Sequence, residues 1–177
     1  MIADHGADAV GVLATPHSTV EELFLAKQLA TGLGVHSTDY RTRRADFSRD
    51  TAQAGALWLG GRIEDLAAAK AVLMIGANLR KEQPLLAARL RQSVKKGTAL
   101  SVIGLANDAL LMSSHARVTV SPADLLRTTT AVLAAVATLK GADMPAVAQG
   151  MTPCMQTQAM AQSLCDAEGG FVVLGNL

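Results

Sequence analysis

From Val72 to Ile75 the chain is continuously apolar, the pattern of a strand buried on both faces. It stops at Gly76-Ala77-Asn78, and a short charged link leads to Gln83-Pro84, with Pro well placed for a first helical turn. Leu86, Leu90 and Val94 then recur every four residues with Leu85 beside them, while Arg89, Arg91, Gln92 and Lys95 are polar. This predicts an amphipathic helix with the leucine stripe against a sheet. Lys95 and Lys96 suit the negative end of the helix dipole, and Gly97 is a natural stop. Ala99 to Ile103 follows as the next apolar run. Strand, helix and strand in so short a span make a βαβ unit, the building block of a parallel sheet.

The same patterning extends outward. Val10 to Ala14 reads as a first strand, broken by Thr15-Pro16-His17. Ser18 with Glu21, or Thr19 with Glu22, can form a capping box for a helix reaching about Thr31. Leu23, Leu25, Ala26, Leu29 and Ala30 supply its apolar surface, and Gly32 and Gly34 end it. Val35 to Tyr40 is a short polar strand suited to a sheet edge. Residues 41–60 have no periodicity and carry a cluster of arginines, one Phe and the only Trp. A long irregular connection of this kind is often functional. Two readings stand side by side: a solvated loop pinned by Phe47 and Trp58, or an interface that residues 41–60 form in the intact protein. Ile63 to Ala69 is a short helix. After Ile103 come a loop with a helical turn over Leu105 to Ser114 and a short strand from Arg117 to Val120. A helix then opens with Ser121, Pro122 and Asp124, and Leu125, Thr129, Val132, Val136 and Leu139 form its inner stripe. Gly141 to Pro153 is a linker. Gln156 to Ala167 is a last helix, leading to an apolar strand at Phe171 to Leu174.

These elements predict an α/β fold, doubly wound, with a mainly parallel sheet of about five or six strands flanked by helices. The expected organisation is a single domain over residues 1–177. A buried strand near Leu177 with no helix after it leads to the further expectation that the chain is a piece of a longer protein.

Composition narrows the picture. Half the residues are hydrophobic but only 3% aromatic, so the core must be aliphatic. A net charge of +1 gives no general attraction to nucleic acid or membrane. The most apolar stretch, Ala131 to Leu139, is too short to span a bilayer. Cys154 and Cys165 match no metal or redox spacing. His5, His17, His36 and His115 are scattered, and no GxGxxG, GxxxxGK[ST] or GxSxG motif is present. Asp39, Asp46 and Asp50 lie among arginines, where ion pairing is the plainer role.

Ligands of open parallel sheets bind beyond the carboxyl ends of the strands. Those ends read Thr15-Pro16-His17-Ser18, Gly76-Ala77-Asn78, Gly104-Leu105-Ala106-Asn107 and Gly175-Asn176. Three pair a Gly, which admits close backbone approach, with an Asn, which both donates and accepts. That combination suits a nucleotide or pterin dinucleotide, although Gly and Asn are also ordinary turn residues.

The stretch LMIGANLRKEQPLLAARLRQSVKKG resembles the molybdopterin-oxidoreductase superfamily, in which a strand ends in G-x-N before a proline-started helix. Within it the chain looks most like the large iron–sulfur subunit of NADH:quinone oxidoreductase, respiratory complex I. PHSTVEELFLAKQLATGLG, STDYRTRRADF and WLGGRIEDLAAAKAVLMIG resemble successive segments of that subunit. The resemblance implies a Rossmann-like region whose Gly76 and Asn78 match a cofactor loop, here a vestigial pterin-dinucleotide loop. No catalytic residue and no metal ligand carries over. The resemblance further implies that the 2Fe-2S and 4Fe-4S clusters belong to an N-terminal part not contained here, and that this segment by itself is inactive and without cofactor. Its partners would be other complex I subunits and the cluster domains of its own chain, with no nucleic acid and no direct membrane insertion. Its place would be peripheral, on the cytoplasmic side of the bacterial inner membrane. Two other readings stay open. One is the nucleotide-cofactor domain of an active, formate-dehydrogenase-like molybdopterin oxidoreductase; the other is a stand-alone nucleotide-binding module.

Overall fold

The computed structural model describes residues 2–15, 17–40 and 59–175. The chain, expected as one domain, divides into two compact units, Met1–Leu57 and Trp58–Leu177. All but the last two residues of the expected 41–60 loop, with its anchors Phe47 and Trp58, lie outside the described residues.

In the first unit, α1 (Ile2–His5) and a 3₁₀ turn precede β1 (Gly11–Leu13), α2 (Val20–Gly32) and β2 (Ser37–Asp39). Of the two capping boxes open to the sequence, the one at Thr19 forms. The Glu22 amide donates to the Thr19 hydroxyl at 3.2 Å, and the Thr19 amide donates to the Glu22 carboxylate at 2.8 Å. The strands β1 and β2 pair in parallel, Val12 opposite Thr38. The apolar surface expected of α2 is not buried: Ala30 is covered, but Leu25 and Leu29 are 64% and 63% exposed. Two strands of three residues offer too little sheet to cover a helix face.

The second unit holds four parallel strands in the order β5-β4-β3-β6. They are β3 (Ala71–Ile75), β4 (Ala99–Gly104), β5 (Ala116–Thr119) and β6 (Gly170–Leu174). The six described strands, all paired in parallel, thus fall into sheets of two and four. β3 is central, with Leu73 opposite Ser101 of β4 and Val172 of β6. Its first four residues are buried, as a strand covered on both faces requires.

One face of this sheet packs Val72, Met74, Leu100 and Val102 against Leu66, Ala87 and Leu90, from α3 (Ile63–Ala68) and α5 (Pro84–Lys95). The Ser93 hydroxyl ties the two helices by donating to the Ala67 carbonyl. The other face packs Leu73, Ile103 and Ala116 against Val132, Ala135, Met160 and Ala161. These last four belong to α6 (Pro122–Lys140) and α7 (Met155–Asp166). Helices on both faces make the fold doubly wound. The described buried core contains no aromatic side chain.

The inner faces of two helices differ in detail from the sequence pattern. In α5, Leu90 is fully buried and Leu86 and Val94 are partly buried, but Leu85 is 82% exposed. In α6 the buried positions are Thr130, Ala131, Val132, Ala134, Ala135 and Ala137, and Leu139 faces outward. Small side chains let α6 and α7 approach closely, so alanines replace the leucines that a hydrophobic stripe singles out. The charged link after Asn78 is itself a turn of helix, α4 (Leu79–Glu82), and no helical turn forms over 105–114.

Candidate functional site

The candidate site lies at the carboxyl ends of β3, β4 and β6. The chain leaves β3 toward β4 on one side and returns to β6 on the other, so the winding reverses between β3 and β6. In doubly wound sheets that reversal is where a ligand crevice opens. Here two glycine backbones fill it. The Gly175 amide donates to the Ile75 carbonyl at 2.9 Å. A β-carbon on Gly175 would fall 2.5 Å from the Gly76 carbonyl carbon and 2.7 Å from Ala77 Cα. Gly76 has φ 62°, a left-handed conformation that glycine adopts without penalty.

Among the described residues an open space lies one strand over, between the loops after β3 and β4. It is a cleft of about 120 Å³, lined by Gly76, Ala77, Asn78, Glu82, Gly104 and Asp108 among others. Gly76 and Asn78, the two residues singled out from sequence, therefore share one cleft. The loop after the first strand, with His17, belongs to the other unit. Asn176 lies outside the described residues.

Asn78 is engaged at both ends of its amide. Its Oδ1 caps α4 through a long hydrogen bond from the Lys81 amide, 3.4 Å. Its Nδ2 donates to Oδ2 of Asp108 at 2.9 Å. Lys81 Nζ lies 3.3 Å from the other Asp108 oxygen. This ion pair is partly exposed and contributes little alone, about 0–1 kcal/mol.

Asp108 is not among the residues that the sequence singles out, yet it is the hub of the site. Its loop is strapped down by two arginines. Arg80 Nη1 donates to the Ala109 carbonyl at 2.8 Å. Arg117, on β5, donates through Nη2 to the carbonyls of Ala106 and Asp108, at 3.2 and 2.9 Å. Arg117 Nε is buried without a hydrogen-bond partner. Leu111, in the same loop, has φ 59°, which costs a non-glycine residue about 1–2 kcal/mol. The one sequence signal for Asp108 is its position two residues after Leu-Ala at a strand end, which does not distinguish it from any loop aspartate.

The cleft does not fit a pterin dinucleotide at these residues as they stand. Small-molecule pockets run to roughly 300–1,000 Å³. The carboxylates of Glu82 and Asp108 line this smaller space, and the Asn78 amide is already bonded. Among the described residues no three His, Cys, Asp or Glu side chains cluster as metal ligands would.

A family model for the molybdopterin oxidoreductases matches residues 1–168. The chain belongs to the molybdopterin oxidoreductase family. It is also 33% identical over 91 residues to the G-type subunit of the NADH-quinone oxidoreductase of Rickettsia felis (strain ATCC VR-1525 / URRWXCal2). That match covers 51% of this chain and 13% of the relative's length. The doubly wound parallel architecture agrees with this family, and the resemblance drawn from the Gly76-Ala77-Asn78 stretch points to the same place. Among the described residues no helix is long and apolar enough to cross a membrane.

Proposed function

We propose that this molybdopterin oxidoreductase domain is a scaffold segment of the large iron–sulfur subunit of an NADH:quinone oxidoreductase. The parent complex moves electrons from NADH to quinone. This segment supplies shape and packing surface, while 2Fe-2S and 4Fe-4S clusters elsewhere in the parent subunit carry the electrons. Its partners are those cluster domains and neighbouring subunits, and it sits peripherally on the cytoplasmic side of the bacterial inner membrane, without nucleic acid. Taken alone it is inactive.

The observation that carries the reading is the state of Asn78. In a cofactor-holding loop a side-chain amide at the strand end must be free to meet its ligand. Here its donor goes to Asp108 and its acceptor to the Lys81 amide. The similarity to the Rickettsia felis subunit supplies the context.

The test is Asn78→Ala in the parent complex, with NADH:quinone electron transfer measured per assembled complex. A scaffold role leaves turnover per complex within about twofold, whatever happens to assembly. A turnover loss of about tenfold or more at unchanged assembly and unchanged cluster content contradicts it, since that is the scale of a lost functional contact.

A further inference from the structure

The cleft between the loops after β3 and β4 carries its own anion. We propose that the Asp108 carboxylate is an internal plug, seated where a phosphate group would otherwise meet the Asn78 amide and the Lys81 ammonium. The proposal deepens the scaffold reading and rests on it.

Three observations build the argument. First, one carboxylate receives both available donors: Nδ2 of Asn78 at 2.9 Å on one oxygen, and Nζ of Lys81 at 3.3 Å on the other. An amide and an ammonium converging on two oxygens of one group is how a protein holds an anionic oxyacid. Second, the plug's backbone does not depend on its carboxylate. Arg117 holds the Ala106 and Asp108 carbonyls, and Arg80 holds that of Ala109. Removing the carboxylate therefore leaves the loop in place and the two donors bare. Third, the charge balance turns on this residue. Among the described residues Glu82 and Asp108 are the carboxylates lining the cleft; Lys81 pairs with Asp108, and Arg80 and Arg117 reach backbone carbonyls of the Asp108 loop. With Asp108 neutralised, Glu82 remains as the one carboxylate lining the cleft among the described residues, with Arg80 and Lys81 on α4 and Arg117 on β5 close by.

Titration of the full chain with inorganic pyrophosphate, followed by calorimetry at low ionic strength, tests the plug. The proteins are the parent sequence, Asp108→Ala, Asp108→Asn and the double variant Asp108→Ala with Asn78→Ala. The expected result is that both single variants bind pyrophosphate at least about tenfold more tightly than the parent sequence, the scale set by removing one like charge at contact distance. The double variant should lose most of that gain. Equal affinity of the parent sequence and both folded single variants overturns the proposal. So does a gain that survives Asn78→Ala unchanged. The isosteric Asp108→Asn carries the test if the alanine variant loses its far-UV dichroism; loss of fold in both makes Asp108 a structural strut and rejects the plug. The scaffold reading fails separately, by tight pyrophosphate binding to the parent sequence that depends on Asn78.

Discussion

The backbone of Gly175 lies against that of Gly76 with no room for a side chain between them. A β-carbon at residue 175 would fall 2.7 Å from Ala77 Cα and closer still to the Gly76 carbonyl. The obstacles are backbone atoms of the central strand's exit loop, which cannot swing away as a flexible side chain would. Replacing Gly175 by Ala should therefore separate the ends of β3 and β6 and destabilise the second unit by roughly 1–3 kcal/mol, the usual cost of overpacking. Urea denaturation measures it. Gly141→Ala is a useful contrast, because a β-carbon there meets nothing within 4 Å and only its φ of 59° opposes the change.

A second expectation separates the two leucines that the sequence places together on α5. Leu90 is fully buried between α5 and the sheet, whereas Leu85 is 82% exposed. Leu90→Ala should cost roughly 2–5 kcal/mol through lost burial and the cavity left behind. Leu85→Ala should stay within about 0.5 kcal/mol. Thermal or chemical unfolding of the two variants side by side decides it.

That contrast shows what hydrophobic periodicity can and cannot reveal. The four-residue recurrence of Leu86, Leu90 and Val94 locates the helix and its inward face, because only a packed face needs that spacing. It cannot reject Leu85, whose one-residue offset turns it about 100° around the axis. In α6 the pattern favours Val132 and Val136 correctly but overlooks Ala131, Ala134 and Ala135, since alanine is equally at home exposed or buried. The strand ends with Gly76 and Asn78 are legible because Gly and Asn have special backbone and hydrogen-bonding properties. Asp108 is not, because its role depends on folding that brings residues thirty positions apart within 2.9 Å.

The thiol at the start of α7 gives a pH-dependent expectation. Cys154 is exposed, and hydrogen bonding from the Thr157 backbone and then its hydroxyl lowers the thiol below its ordinary range. Thr157 itself is buried, with Oγ1 3.6 Å from the sulfur. A folded pKa below the unfolded one makes the thiolate form favour folding. That contribution is present above the ordinary thiol value, about 8.5, and fades as pH falls through the lowered one. Iodoacetamide labelling of Cys154 should therefore follow a pH profile whose midpoint moves upward in Thr157→Val. An unmoved midpoint would assign the effect to the backbone amide alone.

The central claim is that this domain gives structure to an electron-transfer subunit without holding a pterin cofactor of its own. Metal and nucleotide analysis of the intact parent subunit, purified natively, meets that claim most directly. The account expects molybdenum and tungsten far below one atom per chain, and no guanine nucleotide released on acid treatment. One molybdenum or tungsten atom with one guanine nucleotide per chain, both lost on Asn78→Ala, would contradict it.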